Sequence, residues 1–269
     1  HRDLHTAYRR QRQMCIRDRV RHMILNSIRM YRKEHHSEYG EVILTWDSKH
    51  SWRRDYYPEY KASRRKGREE SDLNWDDIFG TLNKIRNEIK ENFPYKYLEV
   101  FGAEADDIIG FLCEENKDEK IMIISGDKDF IQLQKYPNVK QWSPITKKDV
   151  NGFNPTTYLK EHILKGDTSD GVPNVLSPDN TFTDGLRQRP LSRKKIQSWL
   201  VGGGSDWNDE VKRNFQRNST LIDLSRTPEE LKNQIRLEYN NAPHGDRSKL
   251  LNYFMQNKLK ELTENIGEF

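Results

Sequence analysis

Four acidic groups in this chain of 269 residues have types and spacing that could do chemistry together. Asp47 ends the apolar run that begins at Glu41. Glu104-Ala-Asp106-Asp107 opens an amphipathic stretch. Asp127-Lys-Asp129 follows the apolar run Lys120 to Ser125. Asp167-Thr-Ser-Asp170 follows Leu164-Lys-Gly166. So many carboxylates in one pocket would repel strongly unless cations neutralised them. Oxygen ligands without a neighbouring histidine or cysteine favour Mg²⁺ or Mn²⁺ over Zn²⁺. Two such ions about 4 Å apart could activate a water and stabilise a leaving phosphate oxygen. Taken singly, each group has a plainer use. Acids at a helix start complement its dipole, and an Asp after a strand often caps the next helix.

The elements needed to position these acids are legible. Apolar runs at 41–47, 96–101, 120–125 and, more weakly, 139–142 read as strands. Helical spacing marks 20–31, 75–89 and 104–115. Strands alternating with helices predict an α/β core with a mostly parallel central sheet flanked by helices. In such a sheet, ligands collect beyond the carboxyl ends of the strands, where Asp47 and Asp127 fall and where a helix opening at Glu104 can reach. After about Lys148 the strand signals stop. Helices are expected at 155–164, 192–201, 209–221, 228–239 and 246–266, with a loop over 177–189.

Composition bounds the class. Hydrophobic and charged residues each make up 33% of the chain, and the aromatic content of 10% argues against wholesale disorder. No apolar run approaches the roughly 20 residues of a membrane span. Cys15 and Cys113 are too few for a disulfide scaffold or a cysteine zinc site, which points to a reducing, intracellular setting. The 46 basic and 42 acidic residues are segregated rather than mixed, which suits a polyanion held over metal ions. Residues 1–19 are rich in arginine and weakly periodic. They read as foreign sequence, with a basic nucleic-acid arm as the other reading, and the recognisable fold is expected from Val20. His22, His50, His162 and His244 are scattered and read as surface or packing residues. Cys113 reads as inert, and Trp75, Trp142, Trp199 and Trp207 as packing residues.

The stretch 49–68 has no apolar period. It carries Arg53, Arg54, Lys61, Arg64, Arg65, Lys66 and Arg68 among Trp52, Tyr56, Tyr57 and Tyr60. Basic side chains neutralise phosphates, and aromatic faces stack on unpaired bases. The alternatives are a solvated basic loop, or tyrosines packed on the core.

With WRRDYYPEYK (52–61), EADD (104–107), IISGDKDFIQL (123–133), KYPNVKQWSP (135–144) and LKGDTSDGVPNV (164–175) in this order, the sequence resembles the 5′ nuclease family. That family includes phage 5′ exonucleases, flap endonucleases and the 5′-nuclease domain of bacterial DNA polymerase I, and the resemblance is strongest to its T-even phage branch. It covers Val20 to Phe269. It implies a PIN-like core over 20–150 with a basic arch at 48–70. It also implies an all-helical region over 151–269 holding a helix–three-turn–helix at about 156–201. Asp47, Glu104, Asp106 and Asp127 would serve a first metal. Asp129, Asp167 and Asp170 would serve a second, with Asp107 nearby. The cofactors would be two Mg²⁺, with Mn²⁺ as a substitute. Lys61 and Arg64 would steady the scissile phosphate. Arg53, Arg54, Tyr60, Lys61, Arg64 and Arg65 of the arch, Gly166 and Gly171 of the turn, and Arg193, Lys194 and Lys195 after Ser192 would hold DNA.

The implied activity is 5′→3′ exonuclease and 5′-flap endonuclease cleavage of branched or nicked duplex DNA and RNA–DNA hybrids. The expected setting is primer removal in the cytoplasm of a phage-infected bacterium, by a monomer that touches no membrane and works beside a single-strand-binding protein. A PIN-like ribonuclease is the enzymatic rival, and the basic arch and GDTSDGVPNV turn argue against it. The family also begins with a strand ending in a metal-binding Asp, which nothing here matches: Asp3 and Asp18 follow no apolar strand. The remaining alternative is therefore a catalytically impaired, structure-specific DNA-binding fragment.

Overall fold

The fold is drawn from a computed structural model that describes residues 2–243 and 245–269, with side chains from residue 17 onward except 65 and 66. Arg65, Lys66, His244 and the early arginines up to Arg12 lie outside the described side chains. In chain order the elements are α1 (Arg2–Tyr39), β1 (Ile43–Thr45), α2 (Trp52–Tyr56), α3 (Ala62–Glu69), α4 (Trp75–Asn92), β2 (Lys96–Leu98), α5 (Ala105–Glu115) and β3 (Ile121–Ile124). A 3₁₀ segment over Lys128–Lys135 follows, then β4 (Val139–Ser143), β5 (Lys148–Asp149), α6 (Pro155–Lys165), α7 (Arg193–Gly202), α8 (Asp209–Ile222), α9 (Glu229–Asn241), α10 (Leu250–Gln256) and α11 (Lys260–Glu264). No described helix is long and apolar enough to cross a membrane.

The α/β class holds, with the sheet divided. β3 and β4 run parallel, from Ile121 opposite Val139 to Ile124 opposite Trp142, and β5 adds antiparallel to β4. β1 and β2 form a separate two-stranded sheet. The helices start where local chemistry places them. Asn74, Asn154, Ser192 and Asn208 each cap a helix by accepting from a backbone N–H three residues on.

The basic stretch carries two short helices: Ser51 caps α2, and α3 follows. One local expectation is corrected. The single helix expected over 246–266 is broken. α10 ends at Gln256, Lys258 takes a left-handed φ of 54°, and the chain restarts as α11. The turn brings Leu259 and Leu262 into the same apolar cluster as Phe254 and Phe269.

The chain forms two compact units, and each is interleaved along the sequence. The first comprises the residues up to Leu44, Leu73–Tyr97 and Ala242–Phe269. Its core joins Leu25 of α1, Ile85 and Ile89 of α4, and Phe254 and Leu262 near the end of the chain. Arg21 is buried in this unit. Its guanidinium donates to Glu88 at 2.7 and 3.0 Å and to Asp18 at 2.7 Å. The second unit comprises Thr45–Asp72 and Leu98–Asn241, and it contains all four acidic groups around Asp47, Glu104, Asp127 and Asp167. Its apolar clusters pack α5 and β3 against the 3₁₀ segment, and α6 against α7 and α8.

Candidate active site

Asp47 lies just past β1, and its Oδ1 accepts from Ala105 N at 2.8 Å, so one acid ties the strand end to the start of α5. Glu104 caps α5 in a reciprocal capping box with Asp107. Asp127 caps the 3₁₀ segment by accepting from Asp129 N at 2.9 Å. Asp167 accepts from Ser169 N at 2.7 Å and shapes the turn after α6. The plainer capping roles are therefore real. They also aim the remaining carboxylate oxygens, because a capping acid uses only part of its accepting capacity.

Asp107 is the exception, and its expected place near a metal is corrected. It is fully buried. Oδ2 accepts from Arg53 Nη1 at 2.8 Å, Trp52 Nε1 at 3.2 Å and Glu104 N at 2.9 Å, and Oδ1 accepts from Thr227 Oγ1 at 2.8 Å. Held by four donors and with no exposed surface, Asp107 holds the fold rather than an ion.

Arg53 and Tyr60 are corrected with it. Arg53 is 2% exposed and donates to Leu221 O, Glu104 and Asp107, so its guanidinium is held inside the fold rather than presented to DNA. Tyr60 and Tyr57 pack with Ile163, Val172 and Leu221, so the core-packing alternative is right for both. Burial raises the Tyr57 phenol to about 12. Among the arch tyrosines, Tyr56 stays exposed. The Tyr60 hydroxyl lies 2.8 Å from both Glu104 Oε2 and Asp170 Oδ2. It has one proton to give, so the pair of carboxyls needs a proton or a cation between them.

Lys61 and Arg64 stand at this junction. Lys61 takes a left-handed φ of 57° and is fixed by its N–H, which donates to Asp170 O at 2.7 Å. Its Nζ donates to Glu104 Oε1 at 2.6 Å, and Arg64 pairs with Asp170. Gly166 and Gly171 both have positive φ. A side chain at Gly166 would strike Val172 O at 2.3 Å, and one at Gly171 would press on Glu59 O at 3.0 Å. The close approach these glycines allow is to the chain's own backbone, not to DNA. Arg54, Arg193, Lys194 and Lys195 are exposed and keep their charge at the surface.

The acids repel one another. Burial pushes Asp129 up to about 8, with Asp127, Asp167, Asp106 and Asp170 adding to it. Burial, then Asp127, pushes Asp106 up to about 7 against the pull of Lys61 and Arg53. Asp170 is also raised, burial outweighing Lys61. Elements far apart in sequence thus form one electrostatic cluster. A cavity of about 570 Å³ opens beside it, lined in part by Asp127, Asp129, Tyr158, His162 and Asp167.

Two residues here escaped the sequence. His162, expected at the surface or in packing, lies with Nδ1 3.4 Å from Asp129 and Nε2 3.8 Å from Asp167. Its signal was its place on the last turn of α6, five residues before Asp167. Gln141 of β4 is 1% exposed and donates to Ser125 O at 2.9 Å and Asp127 O at 2.6 Å, clamping the loop that carries Asp127. Nothing in a lone glutamine within a strand announces that role. Cys113 is buried and burial raises its thiol to about 12, in keeping with an inert side chain.

The donor set fits divalent cations: buried carboxylates in excess of nearby positive charge, with single donor atoms of Asp129, His162 and Asp167 all within 4.8 Å of one another. Residues 4–163 match the family described as 5′-3′ exonuclease, N-terminal resolvase-like domain, and residues 155–269 match that described as T4 RNase H, C terminal. The chain is 36% identical over 268 residues to the ribonuclease H of Enterobacteria phage T4, covering 93% of this chain and 86% of that protein. It is 31% identical over 217 residues to a 5′-3′ exonuclease of Buchnera aphidicola subsp. Acyrthosiphon pisum, covering 74% of this chain and 72% of that one. Its fold resembles the bacteriophage T5 D15 flap endonuclease, solved as a pseudo-enzyme–product complex with DNA and metal ions. The TM-score is 0.55 at 16% identity, over 74% of this chain and 83% of that one. The chain belongs to the 5′-3′ exonuclease family and is a nuclease. Relatives that are nucleases weigh against the binding-only alternative.

Proposed function

We propose that this chain is a Mg²⁺-dependent 5′→3′ exonuclease and structure-specific 5′-flap endonuclease, with Mn²⁺ as a substitute ion. Its substrates are branched or nicked duplex DNA and RNA–DNA hybrids. Its setting is removal of RNA primers in the cytoplasm of a phage-infected cell, by a monomer working beside a replication single-strand-binding protein. The observation that carries the reading is the mutual repulsion of Asp106, Asp127, Asp129, Asp167 and Asp170, beside Lys61 and Arg64.

Asp47, Glu104, Asp106 and Asp127 would hold one ion, and Asp129, Asp167 and Asp170 the other. Bound there, the ions would supply an activated water and stabilise the leaving oxygen. The remaining work belongs to the chain's own side chains. Lys61 and Arg64 turn from Glu104 and Asp170 to the oxygens of the scissile phosphate and steady its developing charge. Tyr60 and Arg53 keep Glu104 in place. Gln141 keeps the Asp127 loop in place. Residues 20–150 act as the nuclease core, with 48–70 as the arch. The 151–269 region grips the duplex, and Arg54, Arg193, Lys194 and Lys195 take phosphates without reading sequence.

The test is a 5′-labelled flap duplex incubated with Mg²⁺ or with EDTA, beside Asp127→Ala/Asp129→Ala. Cleavage in Mg²⁺ that falls on the order of a thousandfold in the double variant supports the proposal. Equal cleavage by the variant, or cleavage that persists in EDTA, removes it.

A further inference from the structure

His162 is the one imidazole placed within 4 Å of the cluster's carboxylates among the described residues, and none of the roles above uses it. It sits on α6, four residues after Tyr158, whose ring packs edge-on against it at 5.9 Å between centroids. That contact and the helix backbone restrict where the ring can point. Its two nitrogens face Asp129 at 3.4 Å and Asp167 at 3.8 Å, within ion-pair range but with no hydrogen bond made to either. The side chain is 17% exposed, on the wall of the 570 Å³ cavity. A nitrogen of His162 and one oxygen each of Asp129 and Asp167 fall within 4.8 Å of one another, a spacing that leaves room for one ion among them.

We infer that His162 is itself a metal ligand, joining Asp129 and Asp167 in a mixed nitrogen–oxygen site that favours transition-metal ions, Mn²⁺ included, over Mg²⁺. Carboxylates alone take Mg²⁺, Ca²⁺ or Mn²⁺ with little distinction. An imidazole donor shifts preference toward the later divalent ions, because nitrogen binds them more strongly than it binds Mg²⁺. The acid set around Asp47, Glu104, Asp106 and Asp127 has no histidine within ion-pair range among the described residues, so the two ion positions differ in kind. The reaction would then run with two unlike ions when both metals are present. The inference rests on the proposed nuclease reading for its setting, but it is tested by binding rather than by turnover.

The full chain is dialysed to equilibrium against Mn²⁺ in the presence of excess Mg²⁺, and bound Mn²⁺ is counted by electron paramagnetic resonance of the free ion. The same is done for His162→Leu and His162→Gln, with melting curves to confirm folding. Co²⁺ absorption provides a second readout of nitrogen ligation. The expected result is one Mn²⁺ that resists Mg²⁺ in the parent chain. Its affinity should fall at least about tenfold in both variants, the scale on which even outer-shell partners act on metal affinity. The Co²⁺ spectrum should change in the same two variants. Mn²⁺ retention equal to the parent in a folded His162→Gln, with an unchanged Co²⁺ spectrum, overturns the inference. If both His162 variants fail to fold, an unchanged Co²⁺ spectrum when the parent's histidines are blocked with diethyl pyrocarbonate overturns it. Cleavage of the flap duplex by the parent chain in Mg²⁺ alone decides the nuclease reading separately, so either idea can fail without the other.

Discussion

Buried charge is handled in opposite ways in the two compact units. In the first, Arg21 is enclosed by Glu88, Asp18 and the Tyr253 hydroxyl, which donates to Glu88 at 2.9 Å. Burial alone would raise Glu88, but the hydrogen bonds from Arg21 and Tyr253 outweigh it, and its pKa lies below the ordinary value. The network is closed and needs nothing from outside. In the second unit, Asp106 and Asp129 are pushed the other way, to about 7 and about 8. Lys61, Arg64 and Arg53 are close by and still do not balance the acids. A fold able to complete one buried ion network leaves another short of positive charge, and that shortage marks a place meant for a cation.

The contrast can be broken by mutation. Glu88→Gln should have the largest effect on stability. It strands the Arg21 guanidinium and should cost about 3 kcal/mol in thermal melts, whereas Arg21→Leu/Glu88→Leu together should cost far less. A single variant as mild as the double one would mean that the network is not closed. Asp129→Asn should do the reverse in EDTA and stabilise the chain by about 1 kcal/mol through relief of repulsion. A lower melting temperature for that variant would show that the acids are held by contacts rather than strained.

The smallest effect is a drift with pH, and its sign differs between the units. Asp106 and Asp129 have folded pKa values above the unfolded value of 3.8, so the folded chain keeps their protons longer. Their contribution is therefore most favourable below about pH 4 and is lost as pH rises toward about 8. Glu88 is lowered, so its contribution is present above its unfolded value of 4.5 and is lost only as pH falls through its folded value. Melting temperature in EDTA should thus decline between about pH 5 and about pH 8, and Mg²⁺ should protect more at the upper end, where the acids give up protons to take it. A flat profile in EDTA would contradict the strain assigned to the acids.

The sequence by itself determined where acids meet element ends. A strand signal ending at Asp47, a helix opening at Glu104 and a strand run leading into Asp127 are local patterns of period and cap, and the structure keeps each of them. The GDTSDGVPNV turn was legible through its resemblance to the family's motif, and Gly166 and Gly171 there take positive φ. The tertiary structure decided which charges are spent inside. Arg53 meets Leu221, Asp107 meets Thr227, and Tyr60 meets Asp170, all across more than a hundred residues of chain. Periodicity could not report these contacts, because a charged or phenolic side chain carries no mark of its partner. His162 was hidden likewise: its spacing suits a surface helix, and only the folding of the Asp129 segment against α6 turns it into the cluster. Position along an element is written locally, but burial of a polar group depends on what the rest of the chain brings to it.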